Sequence, residues 1–531
     1  MTYWVSHLKI YLDTKKHETF FRNYLQKLVR RFRVEIQELT RGSGILLAIS
    51  SLPSAYGIGT LGVAAKQFVD LLVDLKQKYW QVLPVGPTSF GDSPYQPLSS
   101  CAGNTYLIDL DELVNDGLLT TDEIRSFNWG IDETEIDYAI LYENRIKILQ
   151  KAFERFDTNA QDFNSFREEN KEWLGEFALF MSLKTENMNK SWRCWPTELK
   201  DRQPVALEKM KAVLYNDICF WEFCQYEFFK QWQELREYAN SRGIQIIGDI
   251  SFFVGLDSSD VWANRELFLL DENGRPECVA AAIPDKFSEE GQIWGNPVYN
   301  WSAMASNDFG WWRRRIRVSK KLFDIVRIDH FVGLVKNYTV PYEAGIATNG
   351  KWIKGPGKKL LDVLKQEMGN TNVIADDYTG ASLLPGVKKL LGKTQWLTTK
   401  VLMFAFDGNT ANEHLPHNYV DNHTVVYGGT HDNETIVGSF RDKTEYELAY
   451  LYEYLNITCK EEIPDALIRA AYASTADLAI IQMQDILKLG NEARMNAPST
   501  VGFNWRWRLG KEQLDDGRRA WIRNLAAVYR R

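Results

Sequence analysis

About eight short apolar runs, several with a helical stretch between them, constrain this 531-residue chain more than any other feature. Ile45-Leu46-Leu47-Ala48-Ile49 is the first run. A helix follows it, because Ala64, Phe68, Leu71, Leu72 and Leu75 recur at spacings of three and four. Tyr79-Trp80-Gln81-Val82-Leu83-Pro84-Val85 then closes a strand, helix, strand unit. The same rhythm returns at 244–249, 324–331, 372–377, 401–406 and 424–427, with a weaker candidate near 479–488. Strands alternating with helices build a parallel sheet, and eight of them close a (β/α)8 TIM barrel, the expected fold in the α/β class. Between about 111 and 240 the rhythm gives way to aromatic-rich helical segments, read as a helical insertion. Residues 1–42, which include Arg30-Arg31-Phe32-Arg33, read as an N-terminal helical extension, leaving 43–531 as the barrel.

Charge and cysteine usage narrow the function. A net charge of −7 supplies no general attraction to nucleic acid or to an anionic membrane, so neither is expected as a partner. No run of about 18 apolar residues predicts a transmembrane helix. The N-terminus lacks the basic start and unbroken apolar core of a signal peptide. Six scattered cysteines without a CxxC pair fit reduced thiols, and a cytoplasmic protein is expected.

The stretch Phe323-Asp324-Ile325-Val326-Arg327-Ile328-Asp329-His330-Phe331 focuses the chemistry. Its apolar residues suit a strand covered on both faces. Arg327 and Asp329, two apart, project to one side, and the cation is expected to hold the carboxylate ionised. That pairing serves a glycosyl-forming nucleophile or, equally, a surface ion pair. Three more strands end near carboxylates, at Asp249, at Asp376 with Asp377, and at Asp432 in Gly429-Thr430-His431-Asp432-Asn433. Barrel enzymes work at these C-terminal strand ends. A metal site is the rival use of converging carboxylates, but no HExxH, EF-hand or Cys/His spacing accompanies them, and no metal is expected. Two loops suit a sugar: Ser93-Pro94-Tyr95-Gln96 carries a ring that can stack, and Gln292-Ile293-Trp294-Gly295-Asn296-Pro297 carries an indole beside amides.

Together these segments resemble the 4-α-glucanotransferases of glycoside hydrolase family 77. The likeness runs from about Gly42 to Arg508. It is carried by Gly91-Asp92-Ser93-Pro94-Tyr95-Gln96, Gly291-Gln292-Ile293-Trp294-Gly295-Asn296-Pro297, Arg327-Ile328-Asp329-His330-Phe331, Gly429-Thr430-His431-Asp432-Asn433 and Asn504-Trp505-Arg506-Trp507-Arg508. The resemblance implies retaining transfer of α-1,4-glucan segments between malto-oligosaccharides, with no cofactor. It implies Asp329 as nucleophile, Asp376 as acid/base and Asp432 as the third carboxylate. It also implies Arg327, His431, Tyr95, Asp249, Trp294, Asn296 and His330 as substrate-binding or supporting residues. The family's acid/base is a glutamate, whereas Ala375-Asp376-Asp377-Tyr378-Thr379-Gly380 offers aspartates, and either Asp376 or Asp377 can take its place. Val332, Ala48, Ser251 and Leu397-Thr398-Thr399-Lys400 also depart from the family pattern. A catalytically silent glucan-binding homologue and an α-amylase-like hydrolase are the alternatives.

Overall fold

The computed structural model describes residues 39–284, 288–377, 385–510 and 514–531. Nearly all of the expected N-terminal extension therefore lies outside the described residues. Among the described residues twelve strands occur: β1 Gly42–Leu46, β2 Tyr79–Gln81, β3 Gln245–Ile250, β4 Cys278–Ala282, β5 Gln292–Pro297, β6 Ile325–Ile328, β7 Lys336–Pro341, β8 Lys351–Lys354, β9 Asn372–Ala375, β10 Thr398–Val401, β11 Thr424–Tyr427 and β12 Leu478–Gln482. Eight of them form one parallel sheet in the order β10-β11-β12-β1-β2-β3-β6-β9. The bridge Ile374 to Leu397, with the Ala375 N–H donating to the Leu397 carbonyl at 2.9 Å, joins β9 back to β10 and closes the barrel. The expected (β/α)8 architecture is therefore the observed one.

Local sequence explains the layers. The barrel strands are buried on both faces, as Ile325, Val326 and Ile328 in β6 illustrate. Outer helices present one apolar stripe. In Lys358–Met368 it is Leu360, Leu361, Val363, Leu364 and Met368, with Lys358, Lys359, Asp362 and Lys365 facing out. The 27-residue helix Tyr215–Ser241 lies between β2 and β3 in sequence, and its Trp232 meets Phe323, the residue that leads into β6, edge-on at 5.6 Å. Phe323 also lies over Gly248 of β3, where a Cβ would come within 2.0 Å of its ring. Gly248→Ala is accordingly expected to destabilise the fold by about 1–3 kcal/mol, by forcing that ring aside. An unchanged urea midpoint would contradict this.

Three expectations shift. The first strand starts at Gly42 and stops at Leu46, with Ile49 opening a 3-10 turn. Gly42-Ser43-Gly44 belongs to the strand because Tyr79 leaves no room beside it: a Cβ on Gly44 would meet the Tyr79 carbonyl at 2.4 Å. The run read as a strand at 401–406 pairs only through Thr398–Val401, after which Leu402–Phe404 turns in a 3-10 helix toward the barrel mouth. An antiparallel sheet, β5-β4-β7-β8, was absent from the expectation. Its core of Val279, Ala281, Tyr338 and Val340 is apolar, but its strands fit no barrel repeat.

Candidate active site

The four expected carboxylate positions all sit at C-terminal strand ends, following β6, β9 and β11 and closing β3. At their centre lies Arg327, 1% exposed. One guanidinium nitrogen contacts Asp249 and also donates to Asp329 at 3.2 Å, while the other pairs with Asp376 at 3.1 Å. Asp376 also accepts the His330 N–H at 3.1 Å through the same oxygen, and its second oxygen has no hydrogen-bond partner. The Tyr95 hydroxyl donates to Asp249 at 2.9 Å, and its ring stacks on His431 at 5.1 Å.

Asp432 is held independently. The Asn496 side-chain amide donates to its carboxylate at 2.7 Å, and Arg494 donates to its carbonyl at 2.9 Å. The loop before it is fixed by Asn433, which accepts both the Thr430 N–H at 2.8 Å and the Thr430 hydroxyl at 3.0 Å. These groups open on a cavity of about 1040 Å³. Tyr95, Trp294, Asn296, Asp329, His330, Asp376, His431 and Asp432 all line it, whereas Arg327 and Asp249 are not in its wall.

One cation cannot neutralise three carboxylates, of which Asp249 and Asp376 are buried and Asp329 half-buried. Burial pushes the Asp329 carboxyl well above the usual range. Arg327 pulls against that, and Asp376, Asp249 and Asp432 add to it. Asp249 is raised by burial too, with Arg327 opposing. Arg327 does not serve Asp329 alone: its guanidinium is shared with Asp249 and Asp376, and burial with the neighbouring carboxylates opposes its pull on Asp329. Burial lowers His330 to about 4, so its ring is neutral at pH 7, with Nε2 unpartnered among the described residues.

Comparison with known proteins decides the family. The glycoside hydrolase family 77 model, described as 4-alpha-glucanotransferase, matches residues 47–513. The chain belongs to the 4-α-glucanotransferase family. A 4-alpha-glucanotransferase of Streptococcus pneumoniae is 43% identical over 495 residues, spanning 92% of this chain and 97% of its own. One from Clostridium butyricum is 44% identical over 488 residues, spanning 91% and 99%. The structure is similar to that of an amylomaltase from Streptococcus agalactiae in complex with acarbose, with a TM-score of 0.89 and 40% identity, covering 92% of this chain and 99% of that one.

Within this 4-α-glucanotransferase frame, the two candidates for the acid position separate. Asp376 lines the cavity and Asp377 does not. Asp377 instead accepts the Thr399 N–H at 2.7 Å, tying the end of β9 to β10. Burial pushes it up to about 7. Because this lies above the roughly 3.9 of an unfolded aspartate, the native state binds the extra proton, and stability falls as pH rises through the window between them. Asp377→Asn, whose amide oxygen can still accept from Thr399, removes that slope. Its melting temperature relative to the unsubstituted protein is expected to be higher at pH 8 than at pH 5; an equal difference at both would refute this.

Asn296, in the cavity wall, also bonds within the protein. Its amide donates to the Gln96 side-chain oxygen at 3.2 Å and to the Val254 carbonyl at 2.8 Å, while Gln96 donates back at 3.0 Å and to the Trp294 carbonyl at 2.7 Å. These bonds join the two sugar-type loops to each other. Trp294 meets the His330 ring edge-on at 4.8 Å. Sequence reasoning missed Tyr338 and Trp352, which line the cavity from the antiparallel sheet, and Asn496, which anchors Asp432. The alternation in Tyr338-Thr339-Val340 was an available strand signal for the first; nothing local marked Trp352 or Asn496.

Proposed function

We propose that the protein transfers α-1,4-glucan segments between malto-oligosaccharides by a retaining double displacement, with Asp329 as nucleophile, Asp376 as acid/base and Asp432 as the carboxylate gripping the distorted sugar. The observation that carries this reading is the pairing of Asp329 and Asp376 on one guanidinium at the floor of a cavity lined with aromatic rings. Retaining chemistry uses one carboxylate as nucleophile and a second that first gives and then takes a proton. The two carboxylates suit these roles by position, Asp329 and Asp376 lining one cavity from either side of the guanidinium they share. As acid, Asp376 gives a proton to the glycosidic oxygen as Asp329 bonds to C1 and the leaving chain departs. Asp376 then takes the proton of the acceptor 4-hydroxyl as that oxygen displaces Asp329. Trp294, Tyr95, His330 and His431 supply ring faces and polar edges for the sugars.

Membership of a family whose named relatives are 4-alpha-glucanotransferases supports transfer over a silent binding role. Among the described residues no helix is long and apolar enough to cross a membrane. The six unpaired cysteines support a cytoplasmic setting.

The test is incubation with maltotriose and chromatography of the products. Glucose together with a ladder of longer maltodextrins is expected; glucose and maltose alone would mean hydrolysis, and no product would overturn the reading. Asp376→Glu provides a finer check. Aspartate sets the acid back by about one carbon–carbon bond of 1.5 Å, and misplacement on that scale costs about 100-fold. The glutamate variant is therefore expected to transfer faster, and a slower one would show that the Arg327 and His330 contacts of Asp376 matter more than reach.

A further inference from the structure

The helix Glu445–Leu455 carries tyrosines at 446, 450 and 454, four apart and so on one flank. Its Leu448 and Leu451 face the protein and seat it. Tyr454 and Tyr450 meet the Phe406 ring at 5.5 and 6.4 Å and each other at 6.1 Å. His417 extends the set, its ring 5.5 Å from that of Tyr454 and its Nδ1 3.0 Å from the Tyr454 hydroxyl. Tyr446 has no ring partner among the described residues and is 92% exposed.

Helix seating accounts for Tyr454 and Tyr450 but not for Tyr446. Phe406 belongs to the segment whose Phe404, Asp407, Asn409, Asn412, Glu413 and His414 line the cavity. The aromatic face therefore begins at the cavity wall and continues outward for two i to i+4 steps, about 12 Å at 1.5 Å per residue. Rings of this kind offer an apolar face with a polar tip, which suits sugars that are apolar on their flat sides and carry hydroxyls at their edges.

We propose that this face is an auxiliary binding track for an α-glucan chain, holding the part of a long donor or acceptor that extends beyond the cavity. The proposal rests on the glucan-transfer reading for the identity of its ligand. Its occupant is fixed by continuity with the cavity wall, which Phe404 and Asp407 line on either side of Phe406.

The test uses the full-length chain carrying Asp329→Asn, so that nothing is consumed. Migration in amylose-containing gels gives affinity for a long glucan, and titration with maltotriose gives affinity for a chain too short to leave the cavity. Adding Tyr446→Ala with Tyr450→Ala is expected to weaken amylose binding about tenfold, from two lost ring contacts. Maltotriose binding is expected to stay the same, and Tyr450→Trp is expected to keep amylose affinity. Unchanged amylose affinity in the double alanine variant would overturn the proposal, as would an equal loss for both ligands, which would place the damage in the cavity. Because turnover plays no part, failure of the transfer reading would be seen separately, as unsubstituted protein yielding no ladder from maltotriose.

Discussion

Asp329→Asn is expected to lower transfer from maltotriose by at least about a thousandfold, the scale on which loss of a covalent nucleophile acts. The same change should leave the fold intact or firmer. Asp329 is one of three carboxylates around a single guanidinium, with burial and its neighbours already raising its pKa. A neutral amide removes one negative charge from a site that carries too many, and it can still accept from Arg327. Activity should therefore collapse while the urea midpoint stays level or rises, a pattern typical of sites strained for function. A variant that lost activity and stability together would place Asp329 among the scaffold residues instead.

Arg327→Met is expected to act the other way. The side chain is 1% exposed and is the cation paired with Asp249, Asp329 and Asp376, so its removal strands buried charge. Breaking a buried ion pair from one side costs about 3–5 kcal/mol. The sign with pH follows from the protons. Without the cation the carboxylates bind protons more tightly in the folded chain than in the unfolded one, so stability drops as pH rises. Urea unfolding should show a gap from the unsubstituted protein that widens from pH 5 to pH 7. A constant gap would mean that packing of the arginine stem, and not its charge, is what the fold requires.

Much of this was legible in the chain because the relevant signals are local. The buried runs of a parallel strand are nearly continuous, so β3, β6, β9 and β11 could be located from apolar residues alone. The carboxylates that follow them needed only the rule that barrel chemistry sits at strand ends. What escaped depends on contacts distant in sequence. The β10 strand is Thr398–Val401, polar at its start, and pairing with Thr424–Tyr427 outweighs its composition. The sharing of Arg327 among three acids is invisible in a two-residue spacing. Asp376 and Asp377 are neighbours with the same side chain; what distinguishes them is contacts distant in sequence, Arg327 and the His330 N–H for one and the Thr399 N–H for the other.

The reciprocal amide pair between Gln96 and Asn296 has a mechanical consequence. Each side chain both gives to and takes from the other, so the loop after β2 and strand β5 are cross-braced as one arch over the sugar cleft. Truncating either amide alone leaves its partner's side-chain oxygen without its donor, although the partner's NH2 keeps the Trp294 or Val254 carbonyl, whereas truncating both removes the mismatch. A thermodynamic cycle over Gln96→Ala and Asn296→Ala should therefore be strongly non-additive, the double variant losing less stability than the two single losses combined. Evolution at either position is then tied to the other, and the width of the cleft is inherited as a unit.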